Sequence, residues 1–114
     1  MGLGCLLLTS DAMLLEVIRT NFSAAHIGLE LRTDAASAVE LSARRHLDSF
    51  VIDCDGVSGA MDVLAAIRSS RSNKASVVFA VVNAKTTVSM AVEAGANFVL
   101  ASRFRISRFV AFST

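Results

Sequence analysis

The sequence contains no proline, no tryptophan and no tyrosine. Without proline, its chain reversals fall to glycine, asparagine, aspartate and serine. Without tryptophan and tyrosine it lacks the side chains that usually clamp proline-rich or aromatic peptides, and that class of receptor is set aside. Cysteine is scarce. Cys5 and Cys54 make no disulfide framework, and both stand in apolar runs, as buried reduced thiols do. An excess of either charge is missing as well. Eleven Lys and Arg against ten Asp and Glu leave a formal charge of +1, so the chain as a whole has no electrostatic footprint for nucleic acid or acidic lipid. Long apolar runs are also absent from the start of the chain. Cys5-Leu6-Leu7-Leu8 is too short for a membrane span or a secretory core, and Met1-Gly2 offers no basic region before it. Leu6 stands where N-myristoylation wants Ser or Thr. These absences describe a reduced, cytoplasmic domain.

What is present is apolar and periodic. Hydrophobic residues make up 54% of 114 residues, enough to exclude general disorder and sized for one domain. Short β-rich runs at 3–9, 28–32, 49–54, 76–82 and 97–100 alternate with segments of helical period at 11–25, 34–45, 60–70 and 84–94. The helical stripes are Leu14, Ile18 and Phe22; Ala35, Ala38, Val39 and Ala43; Ala60, Leu64 and Ile67; and Val88, Ala91 and Val92. Cap-type residues Ser10, Thr33 and Asn83 mark helix starts, and Gly95 stands where a left-handed stop is expected. Phe50-Val51-Ile52 and Val77-Val78-Phe79 are continuously apolar, as strands buried on both faces are. The pattern predicts a doubly wound α/β sandwich with a five-stranded parallel sheet. Its functional edge is the carboxyl end of the strands.

Dinucleotide and P-loop signatures are missing from that edge, and His26 and His46 lack metal-ligand spacing. Carboxylates are the chemistry on offer. Asp53 ends the third strand, Asp55 follows two residues later, and Asp11 follows the first strand. Converging carboxylates hold hard cations such as Mg²⁺, and beside such a cation a carboxylate serves as a phosphoryl acceptor. The competing reading makes Asp11 a helix cap, Asp55 a turn residue and Asp53 a solvated strand end.

The ordered stretches Cys5-Leu-Leu-Leu-Thr-Ser-Asp11, Leu47-Asp-Ser-Phe-Val-Ile-Asp53, Val63-Leu-Ala-Ala-Ile-Arg68 and Ala91-Val-Glu-Ala-Gly-Ala96 resemble the receiver domain of bacterial response regulators. The resemblance implies a flavodoxin-like, CheY-like sheet in order 2-1-3-4-5 and places the phosphoacceptor on Asp53. It also exposes departures. Receivers carry an acidic pair at the end of the first strand; here Thr9 and Ser10 stand there, and only Asp11 keeps a carboxylate. Counting back from Ala94-Gly95-Ala96, the position of the receiver's fourth-strand hydroxyl falls on Ala80. The receiver's closing Lys-Pro is replaced by Ser102 and Arg103. Metal, switch and cation machinery are thus depleted around a kept nucleophile position, which describes a degenerate receiver, or pseudo-receiver.

Residues 1–102 form the receiver-like domain in this reading, and 103–114 a tail or a short fifth helix with Ile106, Phe109, Val110 and Ser113 facing the sheet. An interaction tail and a truncated or altered terminus are the other readings of that segment. The expected function is a non-catalytic signalling module of the two-component type. It docks to itself or to a protein partner through the face of the fourth helix and fifth strand. It needs no cofactor, contacts no nucleic acid, spans no membrane and has no output domain within this chain. One alternative is a phosphoacceptor in which Asp53 and Asp11 hold Mg²⁺ weakly. A second is an anti-sigma-factor antagonist of the STAS type, with Ser58 as its modified residue and a sheet of mixed direction.

Overall fold

The computed structural model describes residues 3–83, 85–101 and 111–113. Strand β1 (Leu3–Leu8) leads to α1 (Ala12–Ala24), β2 (Ile27–Arg32), α2 (Ala35–Arg44), β3 (Ser49–Asp53) and α3 (Ala60–Ser69). Strand β4 (Val77–Val82), α4 (Lys85–Glu93), β5 (Phe98–Ala101) and β6 (Ala111–Ser113) complete the order. Strands β1 to β5 are parallel, as the alternation of periods predicts, and lie in the order 2-1-3-4-5, as the receiver resemblance implies.

The sheet separates two apolar layers. Leu6, Leu8, Phe50, Ile52, Val78 and Ala80 face α2, α3 and α4, where Ala38, Leu41, Val63, Leu64, Ile67 and Ala91 complete one core. Cys5, Leu7, Val51, Val81 and Leu100 face the other way and meet Leu14 and Ile18 of α1, with Phe22 beside them. Strand β3 is fully covered on both sides, since Phe50, Val51 and Ile52 are without solvent exposure. This explains the continuous apolar run in its sequence.

Several local expectations shift. The first two helices are capped by Asp11 and Asp34 rather than by Ser10 and Thr33. The reason is reach. Asp11 Oδ1 accepts from the backbone N–H groups of Met13 and Leu14, and Asp34 Oδ1 from that of Ser37, so one more residue stays outside each helix. On α2, Ala43 turns to solvent while Leu41 and Ser42 are buried. On α4, Val92 is exposed at 38% because Ala91 takes the buried position beside it. Gly95 behaves as expected: at φ +112° it closes α4 with the bonds Gly95 N–H to Val92 O and Ala96 N–H to Ala91 O.

The C-terminal segment departs further. Residues 111–113, expected as a tail or the end of a short fifth helix, form β6 antiparallel to β5, with Leu100 opposite Ala111 and Phe98 opposite Ser113. Pairing satisfies backbone groups along the edge of β5 that a helix would leave unbonded. Ile106, Phe109 and Val110 lie outside the described residues.

Polar groups bind the loops at the amino edge of the sheet. The Asn73 side chain, with no solvent exposure, donates to Ser42 O at 2.6 Å and Arg45 O at 3.1 Å, and accepts from Leu47 N–H at 2.8 Å. Ser76 Oγ donates to Leu47 O at 2.5 Å, and Asp48 Oδ2 accepts from Gly4 N–H at 2.7 Å. Arg68, at the end of α3, donates to the carbonyls of Lys74, Ser76 and Gly95 and to Asn97 Oδ1. Replacing Asn73 with alanine strips two buried backbone groups and one part-buried one of their partner. We expect a loss of about 2–4 kcal/mol in urea unfolding with the m-value unchanged.

Candidate functional site

Two strand ends and one loop build the site. Strand β1 stops at Leu8 and Thr9 follows it, its backbone N–H still bonded to Arg32 O of β2 at 3.1 Å. Strand β3 stops at Asp53. The parallel register sets Leu8 opposite Ile52, which brings Thr9 level with Asp53 at the carboxyl edge. The sequence places Asp53 at this edge, and the structure does the same, but as a buried group only 5% exposed rather than a solvated one.

Both oxygens of the Asp53 carboxylate are engaged. Oδ2 accepts the Thr9 hydroxyl at 2.7 Å, and Oδ1 accepts the backbone N–H of Gly56 at 3.1 Å. Thr9 Oγ1 in turn accepts the backbone N–H of Asp11 at 3.0 Å. A relay therefore runs from the start of α1 through the Thr9 hydroxyl to Asp53. Gly56 makes room for it, because a Cβ there would stand 2.2 Å from Asp53 Oδ2. Burial pushes the Asp53 carboxyl above its ordinary value, against the pull of Thr9 and Gly56, and the nearby charges of Asp11 and Asp55 push the same way.

The other expected positions divide. Asp11 is the cap of α1, so the structural half of its double reading holds, and its charge still acts on Asp53. Ser10 is exposed. Ala80 is a correction to the count along the sequence. It pairs with Ile52 inside the sheet and is fully buried in the core, because β4 runs two residues further, to Val82. Asp53 instead faces Val81 across the ladder, and neither Val81 nor Val82 offers a hydroxyl. Ser102 and Arg103 lie outside the described residues. Cys54 is half-buried with its thiol pushed up to about 12 by burial and then by Asp55 and Asp53, so it is no nucleophile at neutral pH. His26 and His46 are exposed; His46 Nδ1 lies 2.5 Å from Ser72 O at the opposite edge of the sheet.

Sequence reading misses the partners of Asp55. Its carboxylate accepts the Thr87 hydroxyl at 2.7 Å and the backbone N–H of Asn83. No local pattern marks this bond, which joins residues 32 apart.

For a cation such as Mg²⁺ the described residues offer the Asp53 carboxylate, each oxygen of which also accepts one hydrogen bond; the Thr9 hydroxyl stands where the receiver resemblance expects a carboxylate, and Asp11 Oδ1 caps α1. Among the described residues no group of three or more His, Cys, Asp or Glu side chains converges for a metal.

Comparison with solved structures now gives the architecture its place. No protein-family model and no curated protein matches the sequence. The receiver domain of a sensor histidine kinase from Pseudomonas aeruginosa, with a magnesium ion in its active-site cleft, superposes with a TM-score of 0.79 at 21% identity. That match covers 94% of this chain and 90% of the other. The chemotaxis response regulator CheY4 of Vibrio cholerae gives a TM-score of 0.81 at 14% identity over 93% and 91%. A putative response regulator from Chloroflexus aurantiacus gives 0.80 at 17% over 96% and 92%. The chain has the receiver fold. On that fold Asp53 ends the third strand, as the resemblance in sequence requires, and the acidic partner expected from the first strand is a threonine.

The raised Asp53 carboxyl makes a pH prediction. The folded state holds this proton at pH values where the unfolded chain has released it. Asp53 therefore subtracts stability as pH rises from the ordinary carboxylate value, 3.8, through its higher folded value. In Asp53→Asn the amide donates to Thr9 Oγ1 and its carbonyl accepts from Gly56, keeping the shape without the charge. Denaturant unfolding of both proteins across this range is expected to show the variant gaining on the wild type as pH rises, with the gain gone at low pH.

Proposed function

We propose that this chain is a receiver-like signalling module that acts by binding protein rather than by a phosphorylation switch at Asp53. The observation that carries the reading is the Thr9 hydroxyl, 2.7 Å from Asp53 Oδ2. It supplies a proton donor where the receiver resemblance calls for a metal-binding carboxylate. Phosphoryl transfer to a carboxylate depends on cations that gather charge on the transferred group, and the described residues bring none to Asp53. The apolar end of β4 adds to this, since Ala80, Val81 and Val82 have no hydroxyl to report a phosphoryl group. No catalytic role is assigned to any residue, and no cofactor.

The proposed docking face is that of α4 and β5. Met90 is 54% exposed and Val92 38%; two residues apart, they flank the buried Ala91 on opposite sides of α4, and Met90 is the larger apolar group open to a partner or a second copy. Among the described residues no helix is long and apolar enough to cross a membrane, in keeping with a cytoplasmic module. Nucleic acid is not a proposed partner, given the balanced charge.

The phosphoacceptor alternative has one observation in its favour. The Pseudomonas structure holds magnesium in the cleft of the same fold. In that reading Asp53 takes the phosphoryl group while Mg²⁺ rests weakly on Asp53 and Asp11. The STAS alternative is set aside, because β1 to β5 run parallel and match receivers.

Incubation with Mg²⁺ and a small acyl phosphate, followed by intact-mass measurement, separates the two remaining readings. The wild type is expected to stay unmodified. A phosphoryl adduct that disappears in Asp53→Asn would overturn the proposal. The double variant Thr9→Asp, Ser10→Asp restores the acidic pair and is expected to raise Mg²⁺ affinity at least about tenfold by titration calorimetry.

A further inference from the structure

The loop after β3 carries two carboxylates that reach in opposite directions. Asp53 reaches toward β1, to Thr9, and back to the N–H of Gly56. Asp55 reaches toward β4 and α4, to the N–H of Asn83 and the hydroxyl of Thr87. Asn83 directly follows β4, and Thr87 lies in the first turn of α4. Asp55 thus ties the end of β4 to the first turn of α4 and sets a carboxylate beside the helix N-terminus, where the helix dipole favours negative charge.

The two bonding systems share one short piece of backbone. Gly56 N–H is held by Asp53, and Asp55 is the residue immediately before it. A change at Asp53 that releases Gly56 shifts the peptide that carries the Asp55 carboxylate. The usual route from this site to α4, a hydroxyl on β4, is closed by Val81 and Val82.

We infer that Asp55 and Thr87 form a latch through which the Asp53 loop sets the position of α4 and of its exposed Met90 and Val92. The latch goes beyond the function proposed above, since it operates whether or not Asp53 accepts a phosphoryl group. Coupling of this kind is reciprocal, so a partner that holds α4 also holds the Asp53 loop.

Hydrogen–deuterium exchange of the full chain, read by mass spectrometry, tests it. Asp55 is exposed, so the bond is weighted as a surface interaction, and Thr87→Val is expected to raise exchange across 85–93 about fivefold. Exchange in α1 should not change, which shows that the variant is folded, and Thr87→Ser should restore the wild-type rate. Asp53→Ala, which removes the acceptor of the Gly56 N–H, should alter α4 exchange when Thr87 is present and have no further effect in the Thr87→Val background. The latch is overturned if Thr87→Val leaves α4 exchange unchanged, or if Asp53→Ala acts on α4 equally in both backgrounds. Phosphoryl uptake by mass bears on the proposed function alone, so the two can fail separately.

Discussion

Phe50, Val51 and Ile52 cross the middle of the sheet with no solvent on either face, and the rest of the molecule is arranged around that burial. A strand covered on both sides needs helices on both sides, and parallel neighbours need crossover connections that supply them. The crossovers deliver every loop after a strand to the same edge. Asp53 is the first polar residue at which β3 leaves the apolar layers, so its carboxylate arrives at that edge already dehydrated. Its hydrogen bonds to Thr9 and Gly56, its raised titration and the crowding at Gly56 all follow from this one placement.

The substitution at Thr9 changes what such a carboxylate can do. Two carboxylates facing one another repel until a cation settles between them. A hydroxyl facing a carboxylate is satisfied at once. At the carboxyl edge of this chain Thr9 bridges Asp53 and the start of α1 in one hydrogen-bond network.

The order of elements was legible because period and turn chemistry agree at each step. Leu14 and Ile18, Ala60, Leu64 and Ile67, and Gly95 all do what their spacing implies. Asp53 was legible as well, since an apolar run ending in aspartate marks a strand end at the edge. Ala80 was misplaced because counting back from Gly95 takes the length of the β4–α4 connection from the resemblance, and here β4 extends to Val82. Thr87 was invisible because its partner is distant in sequence and a threonine on a helix is ordinarily unremarkable. The pairing of β6 was hidden for a different reason. A short run such as Val110-Ala-Phe-Ser113 suits a helix face and an edge strand equally, and only the open edge of β5 decides.

Arg68 gives α4 a second point of attachment. Its guanidinium holds the carbonyl of Gly95 by two N–H groups, at 2.9 and 2.7 Å, and ties that turn to the carbonyls of Lys74 and Ser76. A side chain at position 95 would collide with the Arg68 stem, so the turn is fixed by shape as well as by bonding. With its far end pinned there and its near end on Asp55, α4 rests on the domain like a beam on two supports, the second of which owes nothing to the Asp53 loop.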